Sequence, residues 1–384
     1  MVNLTALLNK NNDEIRYHKA KMSKKGIKKN FGPVVVWNIT KECNLNCKHC
    51  YSSSNIKDNK KYFNKEEACS LIEDFKKLNV PVVLISGGEP LTYPYFFDIV
   101  KKLRQEDIKV SISTNGILID NKISKKLKDL NINYCGISID GDSSFHNKFR
   151  GQKNAFEKTI EGIRNCKDKD LKVGLRFTIT KENIKYIPFI FELMEKEEIK
   201  RICFYHLVPA GRGIEIESLI PSKEEIRKVM NYIYERANYY KEKDKDMEIL
   251  TVANHTDAAY FLMKMKNDNI LSYEFAYEAL KKQGGNRSGK AICSIDWEQN
   301  IYIDQFSKFN CLGNIKDSSF YDIWNLENEF IDGIRNRKDN INETCKACKY
   351  LDICCGNLPA RSYYYNKDIN GFDKSCYLYE EERK

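Results

Sequence analysis

Between Pro33 and Gly213, six short β-branched runs are separated by five charged segments whose apolar residues recur every three or four positions. The runs begin near Val34, Val82, Lys109, Ile132, Lys172 and Arg201, and the segments between them include NKEEACSLIEDFKKLN and NAFEKTIEGIRNCKDKD. Short apolar runs mark strands and a period near 3.6 marks helices. Strands that alternate with helices run parallel and are joined by right-handed crossovers. The chain is therefore restricted to a doubly wound sheet or a barrel, complete or open.

The polar motifs fall where such strands end. CNLNCKHCY (Cys43 to Tyr51) follows the first run, SGGEP (Ser86 to Pro90) the second, STNG (Ser113 to Gly116) the third and SIDG (Ser138 to Gly141) the fourth. Arg176 and Thr178 lie on the fifth, and YHLVPAGRG (Tyr205 to Gly213) leaves the sixth. Both architectures build their sites at the carboxyl ends of parallel strands. One mouth collects all these motifs.

Within it, Cys43, Cys47 and Cys50 are spaced C-x3-C-x2-C on one tight loop. A cubane 4Fe–4S cluster takes one soft ligand per iron, so three cysteines leave one iron with an open position. The alternative is a zinc site with His49 as fourth ligand, although zinc knuckles normally pair two C-x2-C units from separate places. Fourteen cysteines in a chain of 384 residues with no export-type segment point to metal or redox chemistry, not disulfides. No apolar window approaches the roughly eighteen residues of a membrane span, so a cytoplasmic protein is expected. The net charge of +10 is spread over Lys-rich helices without an arginine-aromatic stripe, so it reads first as a solvated surface, with an anionic ligand as the alternative and no nucleic acid expected.

The three-cysteine loop, Tyr51 after it and GGEP after the second strand together resemble the radical S-adenosylmethionine (SAM) enzymes. The resemblance implies an α/β fold, a partial (β/α)6 TIM-like barrel over residues 33–215. It implies a catalytic 4Fe–4S cluster on Cys43, Cys47 and Cys50 whose open iron binds SAM and generates a 5′-deoxyadenosyl radical. Gly87 and Gly88 then allow close backbone approach, and Glu89 accepts from the SAM amino group. Ser113, Asn115, Ser138 and Asp140 read either as cofactor contacts or as ordinary turn residues. Arg150 and Arg176 read as forked partners of a carboxylate or as structural ion pairs.

A second group, CKACKYLDICCGNLPARSYYYNKDINGFDKSC, spaces Cys345, Cys348 and Cys354 as C-x2-C-x5-C, with Cys376 further on. Four soft ligands close a second 4Fe–4S cluster fully, which suits electron transfer or support; structural zinc is the alternative. The arrangement resembles the SPASM or twitch extensions of radical SAM enzymes, here residues 291–384. One auxiliary cluster is expected, with Cys293, Cys311 and Cys355 left over. Cys69, Cys135, Cys166 and Cys203 fall inside helix and strand patterns and read as small core residues.

Between the groups, stretches such as GLRFTITKENIKYIPFIFELMEKEE, VANHTDAAY and GGNRSGKAICSIDWEQNIYIDQF resemble the tetrapyrrole-modifying radical SAM enzymes of alternative heme and heme-d1 synthesis. That resemblance implies removal of acetate side chains from 12,18-didecarboxysiroheme to give Fe-coproporphyrin III. Propionate decarboxylation of Fe-coproporphyrin III and peptide maturation are the alternatives. A flat ring fringed by carboxylates needs apolar walls and cationic clamps. Arg212 and Arg287 are the candidate clamps, and His206 and His255 the candidate iron ligands. Asp257, Asp304 and Gln305 either line the pocket or close turns. An electron donor such as a ferredoxin or flavodoxin is implied as partner, with no membrane. The remaining segments are an N-terminal extension, 1–32, and a helical linker, 216–290, in which Ser222 and Glu225 form a capping box.

Overall fold

The computed structural model describes residues 1–10, 31–57 and 62–384. Among these, eleven strands make one sheet: β1 (Val2–Asn3), β2 (Val34–Asn38), β3 (Val82–Ser86), β4 (Lys109–Thr114), β5 (Tyr134–Ser138), β6 (Val173–Ile179), β7 (Arg201–His206), β8 (Glu248–Val252), β9 (Ile292–Ile295), β10 (Asn300–Tyr302) and β11 (Gly313–Asn314). Their order is β1-β8-β7-β6-β5-β4-β3-β2-β9-β10-β11. The six expected strands are β2 to β7, all parallel in sequential order.

Strand alternation decides which architecture this is. Trp37 on β2 packs edge-on against Phe75 of the helix Lys65–Lys77, and Phe204 on β7 packs on Phe191 of the helix Ile187–Lys196. The opposite face of the same strands carries Asn38, Ser113, Ser138, Arg176 and Tyr205, since successive side chains alternate. Helices thus cover one face and a polar inner face remains, as in an open barrel.

Two parallel strands that the alternation did not announce extend this core. β8 joins β7 inside the segment expected to be a helical linker, and β9 joins β2 at its other edge. An exposed edge is a row of unmet backbone donors and acceptors. β1 and the β9-β10-β11 meander finish the job, pairing antiparallel on the two flanks. The expected segments 33–215, 216–290 and 291–384 therefore share one continuous sheet. The start of the N-terminal extension is part of it too: Val2, Leu4, Leu7 and Leu8 are buried, and Asn3 caps the helix Leu4–Leu8. The rest of that extension, residues 11–30, lies outside the described residues. The Ser222–Glu225 capping box forms as expected and starts the helix Lys223–Glu242.

Candidate functional site

β2 ends at Asn38 and hands the chain to the cysteine loop. Cys43 and Cys47 are buried, Cys50 half-buried, and all three are free thiols nested with Leu45 and Ile117. The Leu45 N–H points at the Cys43 Sγ over 3.4 Å, an Arg150 guanidinium N–H at the Cys47 Sγ over 3.6 Å, and the Cys50 Sγ lies 3.3 Å from the Ser52 hydroxyl. Burial pushes the Cys43 thiol up, and the Cys47 thiol up to about 11. Soft donors in an apolar nest, with N–H groups turned onto their sulfurs, suit thiolate ligands of an iron-sulfur cluster. His49 is placed differently: its ring stacks on Phe149 at 4.6 Å, with Nε2 3.9 Å from the Asp140 carboxylate. Among the described residues no three His, Cys, Asp or Glu side chains gather about one point as a single ion would require.

GGE serves this loop at closer range than the spacing implied. A Cβ on Gly87 would lie 2.4 Å from the Thr40 carbonyl oxygen and one on Gly88 2.0 Å from that of Glu42. The glycines are needed because β3's exit packs on the entrance to the cysteine loop. The Gly88 and Glu89 N–H groups donate to the Thr40 and Glu42 carbonyls there. Glu89 was expected to face the SAM amino group, but its carboxylate accepts from the Thr114 hydroxyl (2.7 Å) and from the N–H groups of Asn115 (2.8 Å) and Leu91 (3.2 Å). Burial raises its pKa to about 7 against those bonds. Asn115 in turn donates to Asn44 in the cysteine loop, over 2.7 Å.

Asp140 and Arg150 form a buried ion pair of 2.6 Å, the structural alternative for Arg150. Burial pushes the Asp140 carboxyl up, but Arg150, His49 and His146 outweigh it and hold the group below the usual carboxylate range. The Arg150–Gly151 helix end lies on the same loop, where the Asn46 N–H donates to the Arg150 carbonyl. Arg176 behaves otherwise: it sits on the inner face beside Ser138 in the strand register, its guanidinium 4.7 Å over the Tyr205 ring. Ser113 and Ser138 are half-buried on that inner face.

Arg212, expected as a substrate clamp, is committed to the cysteine loop. It donates through Nε to the Cys47 carbonyl and through a terminal nitrogen to that of Ser54, both over 2.8 Å. Loop carbonyls away from a sheet need donors, and this arginine supplies two. Arg287 is exposed. His206, an expected iron ligand, shares the helix-facing side of β7 with Phe204; its Nε2 lies 2.9 Å from Asp257, which also accepts from the Tyr377 hydroxyl at 2.7 Å. His255 is buried, and burial holds its pKa well below the ordinary value. Asp304 closes a turn, accepting from Ser288, Ser307 and the Phe306 N–H. That turn delivers Phe306 to an apolar cluster with Tyr51, Val208, Ala210, Val252, Ala253, Phe309, Leu358 and Ala360. Phe306 lies 5.7 Å from Tyr51, and Phe309 stacks on Tyr363 at 3.9 Å.

Cys345, Cys348, Cys354 and Cys376 line a single, mostly apolar concavity with Tyr350, Leu351, Phe372 and Leu378. The chain brings its four expected ligands together although Cys376 is remote in sequence, so the donor set fits a closed cluster. Of the leftovers, Cys293 is buried in β9, Cys311 is exposed, and Cys355 sits in the left-handed region at φ 51°. The GGNRSG loop packs on this turn: a Cβ on Gly285 would meet the Cys354 carbonyl oxygen at 2.4 Å.

Sequence reasoning missed Thr114, Ser52, Phe306 and Phe309. Thr114 sits inside the quoted STNG, but only the fold shows that it is buried against Glu89. The aromatics have no local signature, because a Phe in a turn looks like any other surface Phe.

A model of the radical SAM superfamily matches residues 37–194, and one of the SPASM iron-sulfur cluster-binding domain matches residues 289–349. The chain is 40% identical over 354 residues to the Fe-coproporphyrin III synthase of Methanosarcina barkeri, covering 91% of this chain and 89% of that protein. It is 33% identical to the pre-heme d1 synthase of Dinoroseobacter shibae over 349 residues, 90% of this chain and 86% of that one. In fold it is similar to Streptococcus suis SuiB bound to its precursor peptide SuiA, with a TM-score of 0.72 at 19% identity, covering 94% of this chain and 79% of that chain.

Proposed function

The chain belongs to the radical SAM superfamily, as an enzyme with a SPASM extension that uses iron-sulfur clusters and SAM, and on that footing we propose that it acts in alternative heme biosynthesis. Its reaction is the removal of the two acetate side chains of 12,18-didecarboxysiroheme to give Fe-coproporphyrin III. The observation that carries this reading is the 40% identity to an Fe-coproporphyrin III synthase over nearly the full length of both chains. The apolar cluster around Phe306, Phe309 and Tyr51 supports it, because a flat macrocycle needs aromatic and aliphatic walls.

In this reading Cys43, Cys47 and Cys50 hold the catalytic cluster and Cys345, Cys348, Cys354 and Cys376 the auxiliary one. When bound, the catalytic cluster and SAM supply a 5′-deoxyadenosyl radical that abstracts hydrogen. The protein's own part is to position and to exclude water. Gly87, Gly88 and Glu89 fix the loop entrance, Arg212 fixes its far side, and Asp140 holds Arg150 against Cys47. On the inner face Ser113, Ser138 and Arg176 are left to meet SAM or a substrate carboxylate. His206 lies on the helix-facing side of β7, away from the inner face that carries Ser113, Ser138 and Arg176, and in this reading it is not an iron ligand. An acidic electron carrier of the ferredoxin or flavodoxin kind is the proposed donor.

Anaerobic reconstitution followed by incubation with SAM, reductant and tetrapyrroles tests this. Conversion of didecarboxysiroheme to Fe-coproporphyrin III is the expected result. Turnover of Fe-coproporphyrin III instead, or of a peptide with the tetrapyrroles left intact, overturns the substrate assignment.

A further inference from the structure

The turn Cys354–Asn357 is held from behind by one side chain. Arg337, only 4% exposed, donates to the carbonyls of Ile369 (2.8 Å), Cys355 (3.2 Å), Asn357 (2.9 Å) and Gly356 (3.0 Å) and to the Ser362 hydroxyl (3.0 Å). Every acceptor is neutral. Among the described residues no carboxylate lies within ion-pair distance of it. Asp373, the acid whose charge acts on Arg337, is already bound by the buried Arg361 through Nε at 3.0 Å and 3.1 Å. Arg383 lines the same concavity as the four cysteines. Asp373 lines it too, while Arg337 and Arg361 stand one layer behind, on the carbonyls of the lining residues Gly356 and Asn357 and on the Asp373 carboxylate.

A buried charge without a partner is costly, and the cost falls when an opposite charge occupies the adjoining space. Burial lowers the Arg337 pKa, with Asp373 and the sulfurs of Cys354, Cys345 and Cys355 as the neighbours that oppose it. A 4Fe–4S cluster held by four thiolates carries net negative charge and gains more on reduction, and nearby charge sets its potential. We propose that Arg337 is the buried countercharge of the auxiliary cluster, fixing the Cys354–Asn357 turn and raising that cluster's reduction potential. The inference rests on the reading that the four C-terminal cysteines hold a cluster.

The test uses the full chain with Cys43, Cys47 and Cys50 replaced by Ala, so that the auxiliary signal stands alone, and follows iron content and the EPR-monitored midpoint potential. If this parent binds no iron, the cluster reading itself fails. If it does, Arg337→Met is expected to disfavour reduction at least tenfold, about 59 mV for one electron. Arg337→Lys keeps the charge while losing the forked bonds, and is expected to retain iron and stay near the parent potential. Loss of iron in the Met variant with retention in the Lys variant also supports a role for charge. A Met variant with full iron and parent potential overturns the proposal. So does a Lys variant that shifts, or loses iron, as far as the Met variant, since the contribution is then hydrogen bonding alone.

Discussion

The Arg212 guanidinium donates through Nε to the carbonyl oxygen of Cys47 across 2.8 Å, joining the exit of β7 to the middle of the cysteine loop. The same side chain reaches Ser54, and the Arg212 N–H donates to the Cys50 carbonyl at 3.0 Å. Bonds from a charged donor are worth roughly 1.5–3 kcal/mol each. Arg212→Ala is therefore expected to cut SAM cleavage in the absence of substrate at least tenfold, with matching loss of core-cluster iron. Deoxyadenosine formation within twofold of the parent would sink the buttress role.

Gly88 tolerates no side chain. An added Cβ would sit 2.0 Å from the Glu42 oxygen and 2.8 Å from that of Lys41, both backbone atoms that cannot swing aside. Gly88→Ala is expected to cost about 3 kcal/mol or more in urea unfolding. Gly333→Ala is the control, since nothing lies within 4 Å of a Cβ there, on the helix Glu329–Arg335. It should be neutral or slightly stabilising.

Burial holds the His146 ring neutral, its pKa down to about 3 beside Arg150, Asp140, His49 and Glu157. Its Nδ1 accepts from the Asp140 N–H at 3.2 Å. A depressed pKa means the unfolded chain takes up the proton first, so this residue's stabilisation is complete above its ordinary value of 6.5 and is lost as pH falls from there toward about 3. Denaturation of the apo-protein at pH 7 and pH 5 should show a smaller difference for His146→Asn, which keeps an acceptor but does not titrate. An unchanged difference refutes the assignment.

Iron counting separates the C-terminal cysteines. Cys376 shares a concavity with Cys345, Cys348 and Cys354, whereas Cys311 is exposed. Cys376→Ser is expected to drop reconstituted iron from ~8 toward ~4 per chain, and Cys311→Ser to leave it unchanged. Equal loss in both variants would show that the ligand set is different.

What the amino-acid order determined by itself was local. The alternation from Val34 to His206 set parallel strands, Ser222 and Glu225 set a helix start, and C-x3-C-x2-C set three thiols within one loop's reach, because backbone period, capping and short spacing act over a few residues. Only the folded chain decided the rest: that Glu89 braces the site through Thr114 and Asn115, that Arg212 serves Cys47 and not a substrate, that β8 and β9 cover the open edges, and that Arg337 stands behind Cys354. Edges, loop carbonyls and buried charges must be met by some partner. Which residue meets them depends on what distant segments bring within about 3 Å, the ordinary reach of a hydrogen bond.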